Sequence, residues 1–91
     1  MAQKEEILGE TNVDPVAIAS RYQTFIKGAV SSVYRLTAGS LQMDPGEAFL
    51  DADVPNAVFC YVYDETGASY GVTVELSEDG SPVRYRCQKI E

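Results

Sequence analysis

Asp51 and Asp53 stand two residues apart in the segment GEAFLDADV, on the same parity of an alternating stretch. Two carboxylates on one strand face can share acid and base work around a glycosidic bond. The same residues also imitate the opening of a calcium loop, since DADVPN offers Asp51, Asp53 and Asn56. That loop type needs glycine at its sixth position and glutamate at its twelfth, where this chain has Asn56 and Val62. The calcium motif is therefore rejected. A chain of 91 residues also leaves little room for a sugar cleft, so solvated edge charges describe the pair better.

Other catalytic constellations are scarce. The chain has no histidine, which removes the usual base for a serine or cysteine nucleophile and the commonest zinc ligand. Cys60 and Cys87 fall on the parity that reads as the apolar core face, and apolar surroundings raise a thiol's pKa rather than activate it. Two cysteines are too few for a disulfide framework, and free thiols are expected. The glycine-containing stretches GETN and TAGS match no phosphate cradle. The expectation is a chain that is not an enzyme and that binds no cofactor and no metal.

Charge points instead to partners. The formal net charge is −7, and between Leu36 and Val83 lie nine acids and no base. Residues 15–35 carry Arg21, Lys27 and Arg35 without an acid. Such a balance disfavours long-range attraction to nucleic acid or anionic membrane and favours either plain solubility or a protein partner with a basic surface. No apolar run approaches the ~18–20 residues that span a bilayer, and MAQKEEILGE lacks signal-peptide order. A cytoplasmic location is the expectation.

The elements that must position these residues are legible from periodicity. Length and composition suit a single domain that buries about 60–65% of its unfolded surface. Residues 1–13 read as a flexible N-terminal arm, with residues 14–91 as one α+β domain. Asp14 can cap a helix that has Pro15 at its first position. Apolar residues then recur from Ile18 through Tyr22, Ile26 and Val30 to Leu36, predicting one long N-terminal helix of about 22 residues, roughly 33 Å. Gly39 would end it. A competing reading stops the helix at Gly28 and makes residues 29–36 a strand.

Beyond the helix the period is two. GEAFLDADV predicts a strand with Ala48, Leu50, Ala52 and Val54 on one face and Phe49, Asp51 and Asp53 on the other. AVFCYVYDETGASYGVTVEL follows as two strands around a three-residue loop with Gly67 at its left-handed position. In that register Val62 faces Tyr70, Cys60 faces Val72 and Val58 faces Val74. SEDGSP then supplies Asp79–Gly80 as a two-residue hairpin connection, which sets Leu76 against Val83, Val74 against Tyr85, Val72 against Cys87 and Glu75 against Arg84. Both hairpins put Val72 and Val74 on one face, which must be the core face under the helix. The fold class is thus α+β, one long helix packed on a four-stranded antiparallel β-meander.

Phe59, Tyr61 and Tyr63 then lie on the far face of the sheet, with Arg84 and Arg86 two strands away and Tyr61 opposite Gly71. Tyrosine, phenylalanine and arginine are enriched at interface centres, although exposed sheet faces also carry tyrosine for cross-strand packing alone. The candidate partner-binding set is Phe59, Tyr61, Tyr63, Arg84 and Arg86 with the acids Asp51, Asp53, Asp64 and Glu65.

A helix on an antiparallel meander is the architecture of cystatin-like rolls, and QMDPG at 42–46 resembles the cystatin hairpin motif in its Gln and Gly. The match covers five residues, and the motif's second valine is missing. The composition also resembles that of phage-type inhibitors of nucleic-acid-binding machinery, which are small, acidic and without catalytic signatures. These features predict a small acidic protein-binding module, an inhibitor or adaptor for a basic partner. A structural subunit that dimerises through the aromatic face is one alternative, and a small carboxylate-dependent enzyme is another.

Overall fold

A computed structural model describes residues 13–90. The arm expected over residues 1–13 lies outside the described residues except for Val13, which packs against the core. Four antiparallel strands form one sheet in the order β1-β2-β3-β4: β1 (Phe49–Leu50), β2 (Ala57–Tyr63), β3 (Ser69–Leu76) and β4 (Pro82–Ile90). The β2–β3 register pairs Val58 with Val74, Cys60 with Val72, Tyr61 with Gly71 and Val62 with Tyr70, as the alternation predicts. Its connection is also as expected. Gly67 has φ +90°, and Asp64 N–H donates to the Ala68 carbonyl at 3.0 Å.

The second hairpin reaches the expected register by a different route. Val72 pairs with Cys87, Val74 with Tyr85 and Glu75 with Arg84, but Leu76 pairs with Pro82 rather than Val83. Gly80 takes φ +87° and Ser77 N–H donates to Ser81 at 2.8 Å, so the loop holds residues 78–80 instead of two residues. The hydroxyls of Ser77 and Ser81 both bond Asp79, which favours this longer loop. A bulge beside Glu75 and Leu76 absorbs the extra residue and restores the pairing at Glu75.

The first strand is far shorter than GEAFLDADV suggests. Only Phe49 and Leu50 pair, with Phe59 and Val58. Asp51 ends the strand because its Oδ1 accepts the N–H groups of Asp53 and Val54 at 2.8 and 2.9 Å, an Asx turn that competes with the ladder. Asn56 follows at φ +59° and its side-chain amide donates to the Leu76 carbonyl at 2.9 Å. The segment QMDPG forms no hairpin tip. Gln42 makes an isolated bridge to Tyr63, and Asp44 caps the short 3₁₀ turn Pro45–Glu47 through Gly46 N–H at 2.9 Å.

Among the described residues the helical layer is two helices and not one: α1 (Pro15–Arg21) and α2 (Gln23–Tyr34). Asp14 caps α1 as expected, accepting from Val16 and Ala17 N–H at 3.1 and 3.3 Å with Pro15 at the first position. Tyr22 leaves helical geometry at φ −111°, ψ 28°. The ladder continues across it from Tyr22 N–H to Ile18 at 3.0 Å and from Ile26 N–H to Tyr22 at 2.9 Å, so the break is a bend. Helix α1 lies over β1 and β2, and α2 over β3 and β4. A straight rod cannot follow a twisted sheet across four strands. The bend keeps both Ala19 and Ile26 fully buried against it.

Helix α2 also stops before Gly39. Arg35 takes the left-handed conformation at φ +58°, and Leu36 N–H donates to the Ser31 carbonyl at 3.0 Å, closing a Schellman-type end. Gly39 falls in a separate turn, Ala38–Ser40. Residues 29–34 are helical, which removes the strand alternative, and Ala29 and Val30 point into the core.

Val58, Val62, Val72 and Val74 from the sheet meet Ile26 and Val30 from α2 in one cluster closed by Leu41. Both cysteines are free: Cys60 buried at its centre, Cys87 half-buried on the edge strand. Burial pushes the Cys60 thiol up to about 11 and raises that of Cys87 as well. With a disulfide reagent at about pH 8, where an ordinary thiol is partly ionised, Cys87 should react first in the native protein. Cys60 should react only as fast as the chain unfolds. Mass spectrometry showing Cys60 modified first, or an intrachain bridge, would contradict this core.

Candidate binding face

The side of the sheet away from the helices is built by strand parity. On β2, Phe59, Tyr61 and Tyr63 alternate with the buried Val58, Cys60 and Val62, and each is half-exposed. Phe49 joins them from β1. Its ring stacks on Phe59 at 5.2 Å between centroids and lies 6.3 Å from Tyr61, while Phe59 and Tyr61 meet edge to face at 5.2 Å. Such offset and edge contacts hold rings in place beyond simple burial. Phe49 keeps 45% of its surface exposed, so the cluster has a packed base and an open top.

Sequence reasoning missed Phe49 as a member of this set. The signal was present, because Phe49 shares parity with Asp51 and faces Phe59 across the β1–β2 pair. The pairing of Tyr61 with Gly71 is as expected, but the ring that covers the glycine is another. The diagonal Phe59 lies over it: a methyl group there would stand 2.5 Å from Phe59 Cζ and 3.1 Å from Ile90 Cδ1. Glycine at this position lets the Phe59 ring settle onto bare backbone.

Beside the cluster is an open groove of about 340 Å³. The turn after β1 brings Asp51 and Asp53 to one side, and Arg86 and Gln88 of β4 line it with Phe59 and Thr73. Four of the residues proposed from sequence therefore converge here: Asp51, Asp53, Phe59 and Arg86. The two aspartates do not share a strand face. They reach the groove through the Asx turn that ended the strand. Arg84 lies next along β4, exposed and paired with Glu75 at 3.1 Å. A groove with carboxylates on one side, a guanidinium on another and a ring between them can seat a long cationic side chain. Its stem would lie on the ring and its head against the acids.

Three residues proposed from sequence are not part of this arrangement. Tyr63 sits at the far end of β2 and donates its hydroxyl to Glu47 at 2.8 Å, a contact that raises its pKa. Glu65 is exposed in the β2–β3 turn. Asp64 is occupied in building that turn. Its carboxylate accepts from Thr66 Oγ1 at 2.6 Å, Thr66 N–H at 2.9 Å, Ala68 N–H at 3.0 Å and the buried Tyr70 hydroxyl at 2.9 Å. Among the described residues no cluster of three or more His, Cys, Asp or Glu could hold a metal ion, and no helix is long and apolar enough to cross a membrane.

The turn acids give a pH signature. Thr66 and then Tyr70 hold Asp64 below its ordinary 3.8, at about 2. Ser77 and then Ser81 do the same to Asp79, also to about 2. A carboxyl depressed on folding stabilises the native state above its unfolded pKa, and that stability disappears as pH falls through the folded value. Denaturation midpoints should therefore be level above about pH 5 and fall between about pH 4 and 2. Asp64→Asn should lower the plateau and flatten the acid slope, because an amide cannot accept at both of its ends. An unchanged slope in that variant would contradict the role assigned to Asp64.

No protein-family model, curated protein or solved structure matches this chain.

Proposed function

We propose that the chain is a small, non-catalytic protein-binding module that engages a basic partner through the sheet face opposite the helices, as an inhibitor or adaptor. The observation that carries this reading is the convergence of Asp51, Asp53, Phe59 and Arg86 around one groove beside the half-open ring cluster of Phe49, Phe59 and Tyr61. Anchor residues of protein interfaces are aromatic and arginine side chains surrounded by contacts that exclude water. The chain's net charge of −7 would steer a basic protein toward this face at long range. A partner that itself binds nucleic acid would carry such a surface, which is the inhibitor case. The acids whose geometry is clearest, Asp64 and Asp79, serve turns, and this favours binding over carboxylate catalysis.

A second reading rests on Phe49. A ring exposed to 45% beside two others is also what a symmetric dimer would cover, since an interface between two copies uses one patch twice. Charge weighs against it, because each copy carries the same −7.

Affinity capture from the native host, followed by binding kinetics with the purified partner, tests the proposal. Phe59→Ala and Tyr61→Ala should each weaken the complex by about 2 kcal/mol. Asp51→Asn with Asp53→Asn should act mainly on the association rate, which should fall steeply as salt shortens the screening length from about 10 Å at 0.1 M to about 3 Å at 1 M. A partner whose association ignores salt and whose affinity survives Tyr61→Ala would overturn the assignment. Light scattering that finds a stable dimer, dissociated by Phe49→Ala, would favour the second reading.

A further inference from the structure

The two edges of the sheet are finished differently. On the β2 side, β1 covers Phe59 and Val58, and Gln42 bridges Tyr63. On the other side β4 runs nine residues, Pro82–Ile90, and among the described residues it pairs only with β3.

Backbone parity shows which groups of β4 are left open. Leu76 N–H donates to Asn56 at 2.9 Å and Asp64 N–H to Ala68 at 3.0 Å. In an antiparallel ladder hydrogen-bonded pairs alternate, so Tyr70, Val72 and Val74 turn their backbone groups toward β2. Gly71, Thr73 and Glu75 turn theirs toward Gln88, Arg86 and Arg84. The N–H and C=O groups of Tyr85, Cys87 and Lys89 therefore point away from the sheet, in a row. Pro82 and the bulge beside Leu76 blunt only the first turn of the strand.

The side chains along this edge favour one kind of occupant. Arg84, Arg86 and Lys89 are exposed and β4 contains no acid, in a chain with formal net charge −7. On the helix side Tyr85 is 38% exposed and meets Phe25 edge to face at 5.7 Å, which leaves an apolar step beside the open backbone. An open hollow of about 310 Å³ lined by Glu75, Arg84, Tyr85 and Arg86 runs along the same edge. A second copy pairing through β4 would bring two sets of three bases together. Like charges across a strand pair are unfavourable, and this works against self-pairing.

We infer that the β4 edge is a strand-addition site for an extended partner segment that alternates acidic and apolar residues. The guest's backbone bonds to Tyr85, Cys87 and Lys89. Its acids lie against Arg84 and Arg86 on the outer face, and its apolar side chains lie beside Tyr85 and Phe25 on the helix face. Main-chain bonds supply affinity in this mode, and alternate side chains supply selectivity. The site shares Arg86 with the groove of Asp51 and Asp53, but its open backbone row at Tyr85, Cys87 and Lys89 is not part of the reading given for that groove.

Amide NMR on the whole chain tests this. The probe is an acetylated, amidated eight-residue peptide alternating valine and glutamate, with its valine and lysine counterpart as control. In the free protein the amides of Arg84, Arg86 and Gln88 should be protected from exchange, and those of Tyr85, Cys87 and Lys89 open. The glutamate peptide should shift and protect the latter three, binding about tenfold or more tighter than the lysine peptide at low salt. Arg86→Glu should cost it about tenfold, with the free-protein protection of Gln88 retained as the sign that the strand is intact. Equal binding of the two peptides, or shifts confined to other elements, would overturn the inference. So would protection of Tyr85 and Cys87 amides in the peptide-free protein. Loss of that protection on dilution would then identify a second copy as the occupant, and persistence would identify this chain's own residues.

Discussion

Everything in this fold depends on the pairing of Val72 and Val74 on both of their sides at once. β3 is the inner strand of two hairpins, and its residues must satisfy β2 and β4 with a single choice of face. Cys60 and Cys87 flank Val72, and Val58 and Tyr85 flank Val74. A slip of one residue in either hairpin would turn an entire strand over, placing Phe59 or Arg86 under the helices. Two independent turns enforce the same parity, and no such slip leaves the apolar set of all three strands together.

That constraint decides which surfaces are available for work. Helices α1 and α2 cover one face and exclude water from Ile26, Val30 and the valines. The opposite face receives whatever alternates with those valines: rings on β2, threonine and glutamate on β3, arginines on β4. The acids are divided by role. Asp14, Asp44, Asp51, Asp64 and Asp79 accept backbone N–H groups at the starts of helices and turns. Asp51 combines both roles, since the turn it builds is what carries Asp53 to the groove beside Phe59.

Regular alternation was legible in the sequence, and backbone choices that no side chain announces were not. The β2–β3 register could be read because Gly67 marks the loop and every valine falls on one parity. The β3–β4 register was reached through a loop one residue too short, and the bulge at Leu76 cancelled the error. The break at Tyr22 has no proline or glycine to announce it, and it falls where the helical layer passes from β1 and β2 to β3 and β4. Arg35 in place of Gly39 as the left-handed residue is a similar case, since no glycine or asparagine marks that position. Of the site, Phe59 and Arg86 were legible through parity. The Asx turn at Asp51 was read as a continuing strand, which hid how Asp51 and Asp53 reach the groove. Asp64 looked like a surface charge because nothing local indicates that Tyr70 donates to it from the adjacent strand.

The central claim is that parity on β3 separates a closed core face from a face open to solvent, and neighbouring substitutions test it most directly. Thr73 and Val74 are adjacent, one half-exposed beside Arg86 and one buried. The measurement is chemical denaturation of Thr73→Asp and Val74→Asp side by side. Thr73→Asp should stay within about 1 kcal/mol of the parent, because a carboxylate on the outer face meets Arg86 and water. Val74→Asp should abolish cooperative folding, because an unpaired carboxylate cannot be solvated in that cluster. Equal losses from the two variants, or a larger loss from Thr73→Asp, would contradict the account.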